Sequence, residues 1–282
     1  MKPKQFIKKW LIPQGLTETF SRIKFEKIDL RKSLIGQDYT DILKKNVELK
    51  RIYDNKRCFI IGNGPSTNSQ DLKLLKNEFT FVVNSFFKFK DYEEVHPKFY
   101  CLIDPAYFEG NETFMRDYIE MGKRVHGDTV FFLPIQDKFF IDKHNLLSNN
   151  KKYYLLMRSK FEEDLNFNTN IVGNIPGLQC VTLSCLIVAI YMGFKEIFLL
   201  GCEHDWLSFR IPATAPHFYS EDYSNFKVKF SYEEEITDVL KLFKSYRLLK
   251  EKFNNIEIYN CTPNSFLDVF DYKNYLDVLN AK

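Results

Sequence analysis

Charge of one sign is what this chain has least of. Its 40 Lys and Arg stand against 37 Asp and Glu, leaving a net +3. That is too little to attract a polyanion, and no basic run with interleaved aromatics marks a groove for RNA or DNA. Nucleic acid is therefore not an expected partner. Metal-ligand spacing is missing too. The six cysteines (Cys58, Cys101, Cys180, Cys185, Cys202 and Cys261) form no C-x-x-C pair, and most lie in apolar stretches. This predicts buried free thiols in a reducing compartment, with no disulfide framework and no bound metal. No apolar run reaches the roughly 18 residues that span a bilayer, and no cleavable leader pattern opens the chain. The expected location is the cytoplasm. Internal repeats and low-complexity linkers are also lacking.

What remains describes a folded α/β protein. Hydrophobic residues make up 45% and charged ones 27% of 282 residues, with 28 Phe and 16 Tyr. That length holds one large domain with a smaller appendage. The aromatic excess by itself carries little functional meaning. Near-continuous apolar runs at 57–61, 79–84, 98–104, 129–133, 195–201 and 256–260 read as strands, with a further candidate at 151–157. Helical spacing between them recurs at 39–53, 70–76, 112–121, 179–192 and 233–253, and a short helix is expected in 266–279. In 233–253 the residues expected inward are Ile236, Val239, Leu240, Phe243, Leu248 and Leu249. Residues 166–176 read as an Asn- and Gly-rich loop. Strands that are apolar throughout and alternate with helices predict a Rossmann-like, mostly parallel sheet with helices on both faces. The domain is expected over 56–206 and 231–282, with 207–230 as a small lid or acceptor loop. Residues 1–55 form a separate basic extension. In it Lys2, Lys4, Lys8 and Lys9 surround Phe6, Ile7, Trp10, Leu11 and Ile12. Such a segment suits peripheral contact with an anionic membrane, or packing on its own domain or on a second copy of the chain.

The candidate site follows from where the strands end, because open α/β sheets bind ligands at their carboxyl edge. After the first strand comes Gly62-Asn63-Gly64-Pro65-Ser66. This turn lacks the Gly-Lys-Ser/Thr ending of a Walker loop and the third glycine of a dinucleotide fingerprint. Its two glycines still let a ligand approach the backbone. The later strand ends supply Asn84, then Asp104, then Glu203-His204-Asp205, then Asn264 and Ser265. Each of these residue types also favours helix caps and turns; their convergence on one edge is what points to a nucleotide. His217, in His217-Phe218-Tyr219, and His204, between two carboxylates, are the candidate general bases, with Asp205 as orienting partner.

These segments resemble the family 42 bacterial sialyltransferases and the wider MptE-like, sialyltransferase-like group. The likeness covers roughly residues 57–270 and rests on IIGNGPS at 60–66, VVNSFF at 82–87, LIDPAYF at 102–108, AIYMGFKEIFLLGCE at 189–203 and IYNCTPNSFL at 258–267, in that order. The resemblance implies a CMP-activated nonulosonic acid as donor, transfer with inversion, a small lid and no catalytic metal or other cofactor. It also implies that Asn63 and Asn84 contact the nucleotide, that Asp104 stands in for an asparagine, and that Glu203 stands where an Asp binds the ribose or base. The loop from Thr262 to Ser265 would close the cytidine side. The chain departs from the family in two places. His204-Asp205-Trp206 occupies the position of two phosphate-binding tyrosines, and Lys229-Phe230-Ser231 that of the family's histidine base.

The function expected is an inverting glycosyltransferase that moves sialic acid or a relative from CMP to a surface glycan or glycolipid. Two alternatives stand beside it. One is a pterin-type diphosphokinase using ATP and magnesium, with Asp104, Glu203 and Asp205 as ligands. The other is a non-catalytic nucleotide-binding member.

Overall fold

The computed structural model describes residues 39–104, 112–159, 165–177, 180–209, 217–219 and 231–281. The basic segment 1–12 and most of the expected lid lie outside them. The chain divides into two units, Met1–Ile42 and Leu43–Lys282. Everything below concerns the second.

Nine strands form one sheet: β1 (Arg57–Ile61), β2 (Phe79–Val83), β3 (Phe99–Cys101), β4 (Val130–Pro134), β5 (Lys152–Ser159), β6 (Asn174–Pro176), β7 (Glu196–Leu200), β8 (Glu257–Asn260) and β9 (Asp271–Tyr272). Their spatial order is β6-β5-β4-β3-β2-β1-β7-β8-β9, and every pairing is parallel. Among the described residues, the helices of six residues or more are α1 (Glu112–Arg124), α2 (Lys138–Lys143), α3 (Val181–Met192), α4 (Tyr232–Lys252) and α5 (Tyr275–Asn280). The chain leaves β1 in one direction, builds out to β6, then returns to lay β7 on the other side of β1. The sheet therefore reverses its winding between β1 and β7. Just beyond such a reversal the two carboxyl ends diverge into loops and leave a crevice.

The apolar runs form strands because both faces of the sheet are covered. The last four residues of β1, of β2 and of β4 are all buried. On one face Phe81, Phe99, Phe132 and Tyr153 make a cross-strand ladder, with Phe81 and Phe99 centroids 4.5 Å apart, and Phe194 closes its side. The phenylalanine excess thus goes into the core, where each buried ring contributes roughly 1.5–3 kcal/mol and neighbouring rings add to it. α3 lies on this face. It is apolar all round, and nine of its residues are buried. It stops at Gly193, whose φ of +96° ends the helix in the left-handed region.

Four expectations need correction. Residues 166–176 are not all loop, since Asn174–Pro176 adds β6 at the sheet edge. The end of the chain carries strand β9 before its helix. In α4, Ile236 and Leu240 are exposed, at 45% and 54%, while Leu242, Ser245, Tyr246, Leu248 and Leu249 are buried. Burial along α4 begins at Leu242, so the described core is covered by its second half. The short helix expected at 70–76 is a single 3₁₀ turn, Leu72–Leu75.

Candidate functional site

At the reversal the β1 and β7 chains keep pairing after the strands end. The Gly62 amide donates to Leu200 O at 2.7 Å, and the Gly64 amide to Gly201 O at 3.0 Å. Both turns rely on the absence of a side chain. A Cβ on Gly62 would lie 2.3 Å from the carbonyl oxygen of Gly201, and one on Gly64 would lie 1.5 Å from Glu203 Oε2. Pro65 opens a 3₁₀ turn, Pro65–Asn68, where its missing N–H is not needed. The Thr67 hydroxyl closes the turn by donating to Gly64 O at 2.7 Å.

Glu203 takes an unexpected part in this turn. Its Oε1 accepts the Ser66 amide at 2.7 Å. The backbone donor that a phosphate would use is therefore already bound to a carboxylate of the chain itself. The side-chain atoms left over are mostly acceptors. Asn63 Oδ1, Ser66 Oγ, Asn84 Oδ1 and Glu203 Oε2 are all buried without a hydrogen-bond partner among the described residues. Buried polar atoms are nearly always paired in folded proteins, so four at one edge mark a place for a ligand that brings donors.

Register brings these residues level. Ile61 pairs with Val82 on one side and with Leu200 on the other. Asn63 and Asn84 therefore stand two residues beyond one rung, and Glu203 three beyond it. Asn84 adopts φ +45° and donates from Nδ2 to Asp104 Oδ2 at 3.4 Å. Its carbonyl accepts from the Tyr100 hydroxyl. Asn84 and Asp104 thus form one group across β2 and β3. Left-handed residues recur at this edge, with His204 at φ +51° and Asn264 at φ +56°. Conformations of this kind in non-glycine residues gather at functional sites.

The loop after β8 is fastened to the loop after β7. The Cys202 amide donates to Thr262 Oγ1 at 3.0 Å, and the Phe266 amide donates to Glu203 O at 2.8 Å. The Ser265 hydroxyl donates to Cys202 O at 2.6 Å, so Ser265 holds the site together from below. Asn264 is exposed.

Residues 217–219 cross over the first turn. The Phe218 amide donates to Asn63 O at 2.9 Å, and Asn68 Nδ2 donates to Phe218 O at 3.0 Å. The Phe218 ring packs edge-on against Phe86 and Phe89. His217 is thereby set beside the turn and stacks on Tyr219 at 5.1 Å. His204 has a different setting. It is 7% exposed, packed against Trp206, Phe243 and Tyr246, with Nε2 3.1 Å from the Tyr246 hydroxyl. Burial pushes its pKa down to about 3. That placement removes His204 from the role of a base working near neutrality. Asp205, half-buried, precedes the turn Trp206–Ser208, and its carbonyl accepts the Ser208 amide at 2.8 Å; its carboxylate makes no bond to His204 among those described.

The carboxylates suit a metal poorly. Glu203 is engaged with Ser66 and Asp104 with Asn84, and among the described residues no three His, Cys, Asp or Glu side chains are grouped so as to hold an ion. Sequence reasoning missed two contributors. Tyr246 looks like any core residue of an amphipathic helix, and Asn68 like any turn residue, so neither carried a signal. Among the described residues no helix is long and apolar enough to cross a membrane.

No curated protein matches the chain. A family model described as 6-hydroxymethylpterin diphosphokinase MptE-like matches residues 35–208. The match runs from before β1 to the turn after β7, so it contains both sides of the crevice. It spans well over half of the 282 residues, and the chain belongs to the MptE-like family.

Proposed function

We propose that this protein is a nucleotide-dependent transferase and, within that class, an inverting glycosyltransferase that takes a CMP-activated acidic sugar, sialic acid or a relative. The observation that carries the reading is the set of unpaired buried polar atoms beyond the carboxyl ends of β1, β2 and β7, the acceptors Asn63 Oδ1, Asn84 Oδ1 and Glu203 Oε2 and the hydroxyl of Ser66. Acceptors call for donors, and a nucleoside supplies them as ribose hydroxyls and a base amino group. Glu203, already fixed by the Ser66 amide, offers its second oxygen to such a group. The glycan hydroxyl enters under residues 217–219, and His217 takes its proton. The acceptor oxygen forms a bond to the anomeric carbon as the bond from that carbon to the CMP phosphate oxygen breaks. CMP leaves with the electron pair, and inversion follows from a single displacement. No metal or further cofactor takes part. Residues 1–12 are the proposed contact with a membrane that carries the acceptor, on its cytoplasmic side.

A second reading is favoured by the family description itself, a pterin diphosphokinase using ATP. A thermal-shift panel with CMP, CDP, UDP, ATP and ATP with magnesium separates the two. Stabilisation by CMP that survives EDTA supports glycosyl transfer. Stabilisation by ATP with magnesium alone overturns it in favour of the kinase. Failure of every nucleotide to stabilise the protein overturns both.

A further inference from the structure

One chain of polar atoms has no part in this scheme. It starts at Cys180, the half-buried residue before α3. Cys180 Sγ lies 3.0 Å from the Tyr246 hydroxyl, and that hydroxyl lies 3.1 Å from His204 Nε2. Tyr246 is wholly buried. It has one proton to give and two neighbours to give it to. An imidazole nitrogen is a much better acceptor than a thiol sulfur, so the phenol donates to Nε2. With its one proton given to Nε2, the phenol oxygen can only accept, so Cys180 gives its own S–H to it. Every bond in the chain then runs the same way and ends on the imidazole.

The consequence falls on the other ring nitrogen. With Nε2 accepting, the proton of the neutral ring sits on Nδ1. Nδ1 is buried and has no partner among the described residues. A buried N–H without a partner is costly, and a neutral imidazole donor is a known device for polarising an oxygen without carrying charge. The unpaired atoms at the neighbouring strand ends are Asn63 Oδ1, Ser66 Oγ, Asn84 Oδ1 and Glu203 Oε2. His204 follows Glu203 directly in the chain after β7, so an Nδ1–H there is a donor in a loop whose other unpaired side-chain atom, Glu203 Oε2, is an acceptor.

We propose that Cys180 and Tyr246 are positioning residues that hold His204 as its Nδ1–H tautomer, and that this N–H donates to a phosphoryl oxygen of the bound nucleotide. The ligand half of this proposal rests on the transferase reading; the tautomer half does not. Charge grows on the phosphoryl group as the bond to the sugar breaks. A fixed donor aimed at it stabilises that charge with little reorganisation.

The test is nitrogen NMR of the full chain labelled with ¹⁵N-histidine, at neutral pH, with the His204 signals assigned by their loss in His204→Gln. The expected wild-type spectrum shows a protonated Nδ1 and an unprotonated Nε2. Tyr246→Phe removes the hydroxyl and should leave His204 in mixed tautomers. Cys180→Ser keeps a donor at that place and should preserve the wild-type pattern, whereas Cys180→Ala should weaken it. This pair serves if Tyr246→Phe does not fold. CMP should shift the Nδ1 resonance, and turnover of Tyr246→Phe should fall about tenfold or more with the donor KM little changed. A wild-type Nε2–H tautomer overturns the positioning role. CMP that stabilises the protein without moving Nδ1 overturns the contact. If no nucleotide binds, the transferase reading and the phosphoryl contact fall together, while the spectrum of the free protein still decides the tautomer.

Discussion

The two edges of the sheet treat ionisable groups in opposite ways. At the amino edge several charged side chains find partners that favour their charged forms, while burial lowers Lys152 at the start of β5. Arg57, at the start of β1, pairs with Glu78 at 2.7 Å. Asp128, before β4, meets His96 at 2.8 Å and Lys98 at 3.1 Å, and these neighbours, His96 foremost, pull its pKa down to about 2. Glu48 is lowered by the Tyr153 hydroxyl and Lys151. At the carboxyl edge burial wins instead, and groups are driven toward neutrality. His204, after β7, falls to about 3. Asp137, after β4, rises to about 7, with its Oδ2 buried and unpaired. Charges that only support a fold are best satisfied within it. Buried unpaired polar atoms occur at both edges, His126 Nε2 before β4 among them; what sets the carboxyl edge apart is that those of Asn63, Ser66, Asn84 and Glu203 follow neighbouring strands.

The comparison can be broken first at the glycine contact. Gly62→Ala forces a methyl into the Gly201 carbonyl, and both atoms are backbone or backbone-fixed. It should cost about 5 kcal/mol of stability and abolish nucleotide binding; urea unfolding measures the first and thermal shift the second. A loss under about 1 kcal/mol would mean the turns are not locked together as described.

The next effect is in pH. The unfolded chain protonates His204 below 6.5 but the native one only near 3. Stability from this group is full above 6.5 and is lost as pH falls toward 3, by up to something on the order of 4 kcal/mol. His204→Gln should flatten that part of the acid-unfolding curve. Asp137 runs the other way. Its folded pKa is raised from 3.8 to about 7, so the native state is favoured at low pH and loses stability as pH climbs through that window. Asp137→Asn should therefore stabilise the protein at pH above 7 by about 2 kcal/mol and change little at acid pH. A variant no more stable than the wild type in alkali would show that Asp137 has a partner in solution.

Smaller effects separate ligand from fold. Asn84→Gly keeps the left-handed backbone accessible and removes the amide, so nucleotide affinity should fall about tenfold with stability within about 1 kcal/mol. At the amino edge Glu78→Gln should cost about 1 kcal/mol and leave nucleotide affinity untouched. If Glu78→Gln weakened binding as much as Asn84→Gly, the division between the edges would fail.

Local pattern was enough to place most elements. A short apolar run such as Phe59-Ile60-Ile61, closed at once by Gly-Asn-Gly-Pro-Ser, reads as a strand and turn, whereas the longer apolar run of α3 reads as a buried helix. β6 escaped notice because Asn174–Pro176 is too short and polar to show a period, and β9 because it has two residues. In α4 the period was visible but its extent of burial was not. Whether Ile236 meets a core depends on how far the sheet reaches, which no local pattern encodes.

The site divides along the same line. Which residues lie at strand ends is encoded locally, since strand length and turn chemistry are local. What each one does there depends on contacts between distant segments. Register set Asn63, Asn84 and Glu203 side by side. Long-range hydrogen bonds gave the Ser66 amide to Glu203 and laid Phe218 over Asn63. Of the two candidate bases in the sequence, His217 first and His204 second, burial sets only His204 apart. His217 came to lie beside the turn, and His204 was enclosed by rings, because a side chain's proton affinity and hydrogen-bond partners depend on the dielectric and geometry that distant residues create.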